Sequence, residues 1–306
     1  MDVFITGGTG FAGRNILRGL HTAGHRIHLL ARNVHLPRTQ EIAAQYEADV
    51  RGGNVLDAAS LENVCAGVDA VIHLVGIIRE VGNQTFENVH TRGTRNIVAA
   101  TQQAGVKRFL HMSALGSRPN AVSRYHQSKW AAEEIVRQSG LDWTIFRPSI
   151  IYGPGDGFVN LFAKIIRRSP VVPIMGSGQS RFQPVPVEAV ATAFVKALAE
   201  PRALGQIYDL CGQETLTLNE IVAQILAVMK RKRLTLHLPL AVARWQAAFL
   251  EFVFPRLLHK APPLNRDQLS MLQEDNAGDA QPAKDLFGLK PASFREGIGK
   301  YVRRET

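Results

Sequence analysis

Residues 1–33, MDVFITGGTGFAGRNILRGLHTAGHRIHLLARN, decide the fold. The apolar run Val3, Phe4, Ile5 enters a turn with glycine at 7, 8, 10 and 13. Ile16, Leu17 and Leu20 then recur at helical spacing, and a second apolar run covers residues 27–31. That order is strand, glycine turn, helix and strand.

The glycines fall where a dinucleotide pyrophosphate needs them. Gly7 permits the tight turn, Gly10 lets the backbone approach the phosphates, and Gly13 lets the helix pack closely on the strand. Thr9 and Phe11 stand between them in the same cradle, and the N–H groups of the first helical turn face the anion. An ordinary strand-to-helix turn also uses glycine. Here the flanking strand and helix, and a second strand about twenty residues on, supply the context the motif requires. After that second strand an NAD site carries an acidic residue for the ribose hydroxyls. This chain has Ala31 and Arg32, and a guanidinium offers a fork of donors to a 2′-phosphate, so NADP(H) is favoured over NAD(H). The alternative is a solvated surface arginine.

A length of 306 residues with 45% hydrophobic content suits one α/β unit with a smaller lobe. No basic start with an apolar run marks a signal peptide, and no stretch reaches the length of a membrane span. Cys65 and Cys211 give neither metal spacing nor a disulfide framework. The expectation is a cytoplasmic protein without a metal. The net charge of +10 has three readings: nucleic acid, an anionic phospholipid or acidic protein surface, or a surface with a basic bias. The first is set aside, because the basic residues are scattered and no nucleic-acid motif accompanies them.

Further along, a helix is expected around residues 41–46, a strand over 48–52, and a helix opening at Ser60 and Leu61. Asp57, in the turn after that strand, is a candidate adenine contact, with helix capping as the alternative. Residues 68–78, VDAVIHLVGII, read as a parallel strand covered on both faces. Val75 and Gly76 near its end leave room for a ribose. A long helix is expected over residues 86–104 and a strand over 107–113. Tyr125 and Lys129, at i and i+4, share one face of the next helix. There the ammonium can lower the phenol's pKa and hold the nicotinamide ribose, while Ser113 can steady a substrate carbonyl.

GGTGFAG, the Asp57 turn, HLVG, Ser113, the Tyr125–Lys129 pair and RPSIIYGPGD from Arg147 together resemble the extended and atypical branches of the short-chain dehydrogenase/reductase superfamily. The resemblance implies a Rossmann-type, doubly wound parallel sheet of seven strands with a small mixed C-terminal lobe. It also implies that the loop at Pro148 borders the nicotinamide. The dinucleotide-binding part would span residues 1–150, completed by about 183–212, and the lobe 151–182 and 213–306. A helix from 158 to 168, another led by Glu188, a last strand over 206–212 and a helix capped by Thr217 and Glu220 complete the outline.

HLVGI, QTFENVH, SALGS, RFQPVPVEAVA and APPLNRDQLSMLQEDN are more closely similar to the NAD(P)H-binding accessory subunit of respiratory complex I and its bacterial relatives. That likeness implies a largely structural nucleotide, partners in a membrane redox complex, and a position on the inner face of the cytoplasmic membrane. Intact Ser113, Tyr125 and Lys129 keep a second reading open, a soluble NADP-dependent reductase of a hydrophobic carbonyl or quinone-like molecule. A nucleotide-sugar epimerase or dehydratase is the third, weakened by His90 where such enzymes carry asparagine. The apolar stretch 238–258, LPLAVARWQAAFLEFVFPRLL, reads either as lobe core or cleft, or as a membrane or partner surface.

Overall fold

The computed structural model describes residues 1–302 apart from 255, 257–261 and 263. Parts of the 238–258 stretch, and Ala261 and Pro263 of the APPLNRDQ motif, therefore lie outside the described residues. Seven strands form one parallel sheet: β1 (Asp2–Thr6), β2 (Arg26–Ala31), β3 (Asp49–Gly52), β4 (Ala70–His73), β5 (Arg108–Met112), β6 (Asp142–Pro148) and β7 (Gln206–Leu210). Their spatial order is β7-β6-β5-β4-β1-β2-β3. The order reverses between β1 and β4, the doubly wound arrangement that opens a crevice at the carboxyl ends of those strands.

Alternation along β1 explains both faces. Val3 and Ile5 pack on one side with α1 (Phe11–Thr22) and the residues of 187–197, while Phe4 packs on the other with Val71, Phe109 and Ile145. All three β1 residues are fully buried, as a strand covered on both faces requires. Later helices are α2 (Pro37–Gln45), α3 (Gly93–Gln103), α4 (Arg124–Arg137), α5 (Val159–Arg168), α6 (Val187–Ala197) and α7 (Leu218–Val228). Shorter strands pair outside the main sheet, among them residues 171–175 with 234–238. The lobe has its own core, where α5 and α7 meet Phe294, Ile298 and Tyr301. Four further helices are α8 (Leu240–Val253), α9 (Arg266–Met271), α10 (Gln281–Phe287) and α11 (Phe294–Gly299).

Three expected elements come out differently. The strand expected over 68–78 is four residues long, because its neighbour β1 ends at Thr6, paired with His73, and turns away at Gly7. The helix expected over 86–104 opens as a wide i→i+5 turn, Glu87–Arg92, before continuing as α3. That extra width carries His90 into the interior, where it is 1% exposed. The helix expected at Ser60 is a single tight turn, Ala59–Leu61.

Candidate functional site

The glycine loop is built as its sequence requires. Gly7 adopts φ +74°, a conformation other residues resist. Its carbonyl accepts the Gly10 N–H at 3.1 Å. A Cβ on Gly13 would collide with the Gly7 carbonyl oxygen and stand 2.6 Å from Gly8 Cα. Past this turn lies a groove of about 720 Å³, walled by Gly7 to Gly13, the end of β2, residues 53–56 and residues 74–77. Its size and its position at the switch point suit a dinucleotide.

Arg32 lines the groove, and no carboxylate is found among the described lining residues. Arg38 donates to the Thr9 carbonyl at 3.2 Å and so brings a second cation to the loop. Thr9, Phe11, Val75 and Gly76 are all on the wall. Asp57 is not: its exposed carboxylate accepts the Ala59 N–H at 3.2 Å and caps the turn there. Asn54, Val55 and Leu56 form that part of the wall.

Tyr125 and Lys129 stand behind the groove on α4, whose start is fixed by Ser123 accepting the His126 N–H. Lys129 is 3% exposed and donates from Nζ to the Met112 carbonyl at 2.9 Å. A Cβ on Gly76 would lie 3.1 Å from this Nζ, so glycine there is what lets the ammonium reach the wall. Burial lowers the Lys129 pKa to about 8, against the pull of Glu133. The lysine's expected lowering of the tyrosine's pKa is opposed by burial. Burial of Tyr125, ringed by Phe86, His90 and His126, pushes its phenol up to about 12, and the ammonium is committed to a carbonyl.

His90 ties these parts together. Its Nε2 accepts the Ile77 N–H at 3.0 Å, so Nδ1 carries the proton and donates to Ser128 Oγ at 2.8 Å. Ser128 donates in turn to the Tyr125 carbonyl at 2.7 Å. Burial, with Lys129 nearby, lowers the His90 pKa to about 2, and the ring stays neutral. His73 is bracketed by Thr6 and Thr94 hydroxyls at 2.7 and 3.1 Å and stacks on His111.

Ser113 is drawn elsewhere. Its hydroxyl donates to Glu133 Oε1 at 2.5 Å, and among the described residues no hydrogen bond joins it to Tyr125 or Lys129. Glu133 is fully buried and held by Arg147 through Nε at 2.8 Å and Nη2 at 2.6 Å, and by Arg137 at 2.9 Å. Arg147 is thus a bidentate clamp, with the Trp130 ring 5.7 Å from its Cζ. Pro148 ends β6, its carbonyl accepting the Leu115 N–H at 3.0 Å.

The C-terminal segment closes over this region. The Pro262 carbonyl accepts from Arg79, and Asp267 takes the Arg124 and Tyr125 N–H groups at 2.7 and 3.1 Å, capping α4 from outside. Glu274 pairs with Arg118. Asn276 donates to the Leu115 carbonyl at 2.9 Å and accepts from Ser149 at 2.6 Å, across the ends of β5 and β6. A Cβ on Gly278 would meet the Asp209 carboxylate on β7. The segment lies where ligands of a doubly wound sheet extend beyond the dinucleotide.

Glu133, Arg38, Asp267 and Asn276 were not singled out from sequence. Glu133 had a signal, four residues past Lys129 on the same helical face. Asp267 and Asn276 lay within the quoted stretch APPLNRDQLSMLQEDN, but nothing local gave their roles, and Arg38 had no signal, since the partners of all three are distant in the chain.

A parallel sheet of this order, with this glycine loop and the Tyr125–Lys129 pair, defines a dinucleotide-binding protein of the short-chain dehydrogenase/reductase type. The model of the NAD dependent epimerase/dehydratase family matches residues 3–211, and the chain belongs to that family. It is 29% identical over 278 residues to NADH dehydrogenase [ubiquinone] 1 alpha subcomplex subunit 9, mitochondrial, of Arabidopsis thaliana, covering 89% of this chain and 68% of that protein. It is 33% identical over 240 residues to the ceramide reductase of Caulobacter vibrioides, covering 78% and 73%. The structure of NADPH-dependent quinone oxidoreductase QOR2 with NADPH from Escherichia coli shares the fold, at a TM-score of 0.77 and 21% identity, over 97% of this chain and 99% of that one. Among the described residues no helix is long and apolar enough to cross a membrane, and no cluster of side chains could hold a metal.

Proposed function

We propose that this chain holds NADP(H) as a fixed part of its structure and serves as an accessory or assembly subunit of a membrane redox complex, from the cytoplasmic side. The observation that carries the reading is the closure around Tyr125. Asp267 caps the helix at Tyr125, Asn276 bridges the ends of β5 and β6, and the Ser113 hydroxyl is given to Glu133 in place of a substrate. The likeness to the mitochondrial complex I subunit supports the same reading. Arg32 on the groove wall, with no carboxylate beside it, supports NADP(H) over NAD(H).

A second reading, reduction of a hydrophobic carbonyl or quinone-like molecule, is favoured by one observation: Lys129 reaches the groove wall at Gly76 four residues from Tyr125. The dinucleotide, when bound, would supply a hydride. The Tyr125 phenol would then protonate the reduced oxygen, Lys129 would hold the ribose, and the segment around 267–278 would have to move aside. The test follows NADPH absorbance with quinones, ketones and aldehydes, with Tyr125→Phe alongside. The structural reading expects tight binding without oxidation. Steady oxidation that vanishes in the variant would replace it with the second.

A further inference from the structure

We propose that the outward face of α8 seats this protein on an anionic phospholipid surface. The inference goes beyond the reading above and holds whether or not the cofactor turns over.

Only Ala243 and Ala247 of α8 are buried, packed with Leu269 of α9. The opposite face carries Val242, Trp245, Phe249 and Phe252 at i, i+3, i+7 and i+10, and they are 54, 75, 56 and 60% exposed. The rings of Trp245 and Phe249 stack at 6.3 Å. The strand Leu234–Leu238, which leads into the helix through Pro239, adds exposed Leu234 and Leu236. The lobe-core reading of this stretch therefore fails for these side chains: α8 spends its small residues on the protein and its large apolar ones on the outside. A contiguous stripe of that kind marks a surface that is covered in use.

Charge selects what covers it. Residues 230–256 contain Lys230, Arg231, Lys232, Arg233, Arg244 and Arg256 against a single acid, Glu251. Glu251 is turned to α9, where it accepts the Arg266 backbone N–H and Nε, both at 2.7 Å. The Arg256 guanidinium lies 4.0 Å from the Phe252 ring centroid, at the edge of the aromatic stripe. Aromatic residues on an exposed helical face, with Arg244 in the same helix and Arg256 beside Phe252, match the acyl boundary and phosphate level of a bilayer interface. Helix α9, which follows, carries Asp267 to the cap of α4. Docking would thus bring the closed end of the site to the membrane.

The test sediments the full chain with phosphatidylcholine vesicles, with and without phosphatidylglycerol. Binding at least about tenfold greater to the anionic vesicles is expected, weakening with salt, together with a blue shift of Trp245 emission. Phe249→Ser with Phe252→Ser, and separately Lys232→Glu with Arg244→Glu, should each reduce sedimentation about tenfold. All four residues are exposed, so NADPH affinity equal to the parent's confirms that the variants fold. Parent protein that stays in the supernatant at low salt would overturn the proposal, as would sedimentation unchanged in both variants. A concentration-dependent dimer abolished by the serine variant, without anionic vesicle binding by the parent, would overturn it in favour of a second copy.

Discussion

Ser113, just past the carboxyl end of β5, donates its hydroxyl to Glu133 on α4 at 2.5 Å, and the carboxylate that receives it is fully buried. A hydroxyl so engaged acts first as part of an ion network. Replacing Ser113 with alanine removes one hydrogen bond to a charged group, worth about 1.5–3 kcal/mol. Urea unfolding of Ser113→Ala should show that loss with NADPH affinity unchanged, whereas a serine that only steadies substrate would leave stability intact.

Glu133→Gln is expected to be harsher. It leaves Arg147, which gives two hydrogen bonds to that carboxylate, beside a neutral amide, and breaking a buried pair costs roughly 3–5 kcal/mol. A midpoint shift in thermal or urea unfolding measures it. Little change would mean that water or a neighbouring carboxylate takes over the arginine.

Arg32→Ala should weaken NADPH by about tenfold to a hundredfold and leave NADH nearly unaffected, since a charge-assisted contact to the 2′-phosphate contributes about 1.5–3 kcal/mol. Titration calorimetry with both nucleotides is the check. Equal losses for the two would assign Arg32 to the pyrophosphate or the adenine.

Burial holds His73 and His90 at pKa values of about 3 and about 2 and puts His111 well below its ordinary value. The folded chain therefore refuses protons that the unfolded chain accepts below the ordinary histidine value of about 6.5. Stability is full above that pH and falls as pH drops through the window toward about 3, each histidine contributing a slope approaching 1.4 kcal/mol per pH unit. Unfolding curves at about pH 7.5 and about pH 5.5 should differ accordingly. Neither ring nitrogen of His111 meets a hydrogen-bond partner among the described residues, so His111→Phe should flatten the slope without a comparable loss at neutral pH.

Asp267→Ala removes the carboxylate that caps α4 at Arg124 and Tyr125. A lost cap costs about 0.5–2 kcal/mol, and amide exchange at those two residues should accelerate while the groove loop at Gly10 stays protected. Uniform acceleration across both would show that the closing segment and the groove unfold as one unit.

What was legible in the sequence was local. The Gly7 turn and the Thr217–Glu220 capping box depend on neighbours within a few residues, and both are present in the fold. The strand over 68–78 was read too long because apolar residues continue after its hydrogen-bonding neighbour has turned away, a fact about β1 and not about the strand. The pairing of Glu133 with Arg147 and the reach of Asp267 to Tyr125 depend on the folded path of the chain. The exposure of α8 was equally hidden, because apolar content does not say which side of a helix has a neighbour.

Every described residue lining the groove lies between positions 7 and 89, whereas the contacts that close the far end come from positions 262–278. The groove wall and the segment that closes the far end are therefore drawn from separate stretches of the chain. Substitutions within residues 262–278 would loosen that closure without altering a groove-lining side chain.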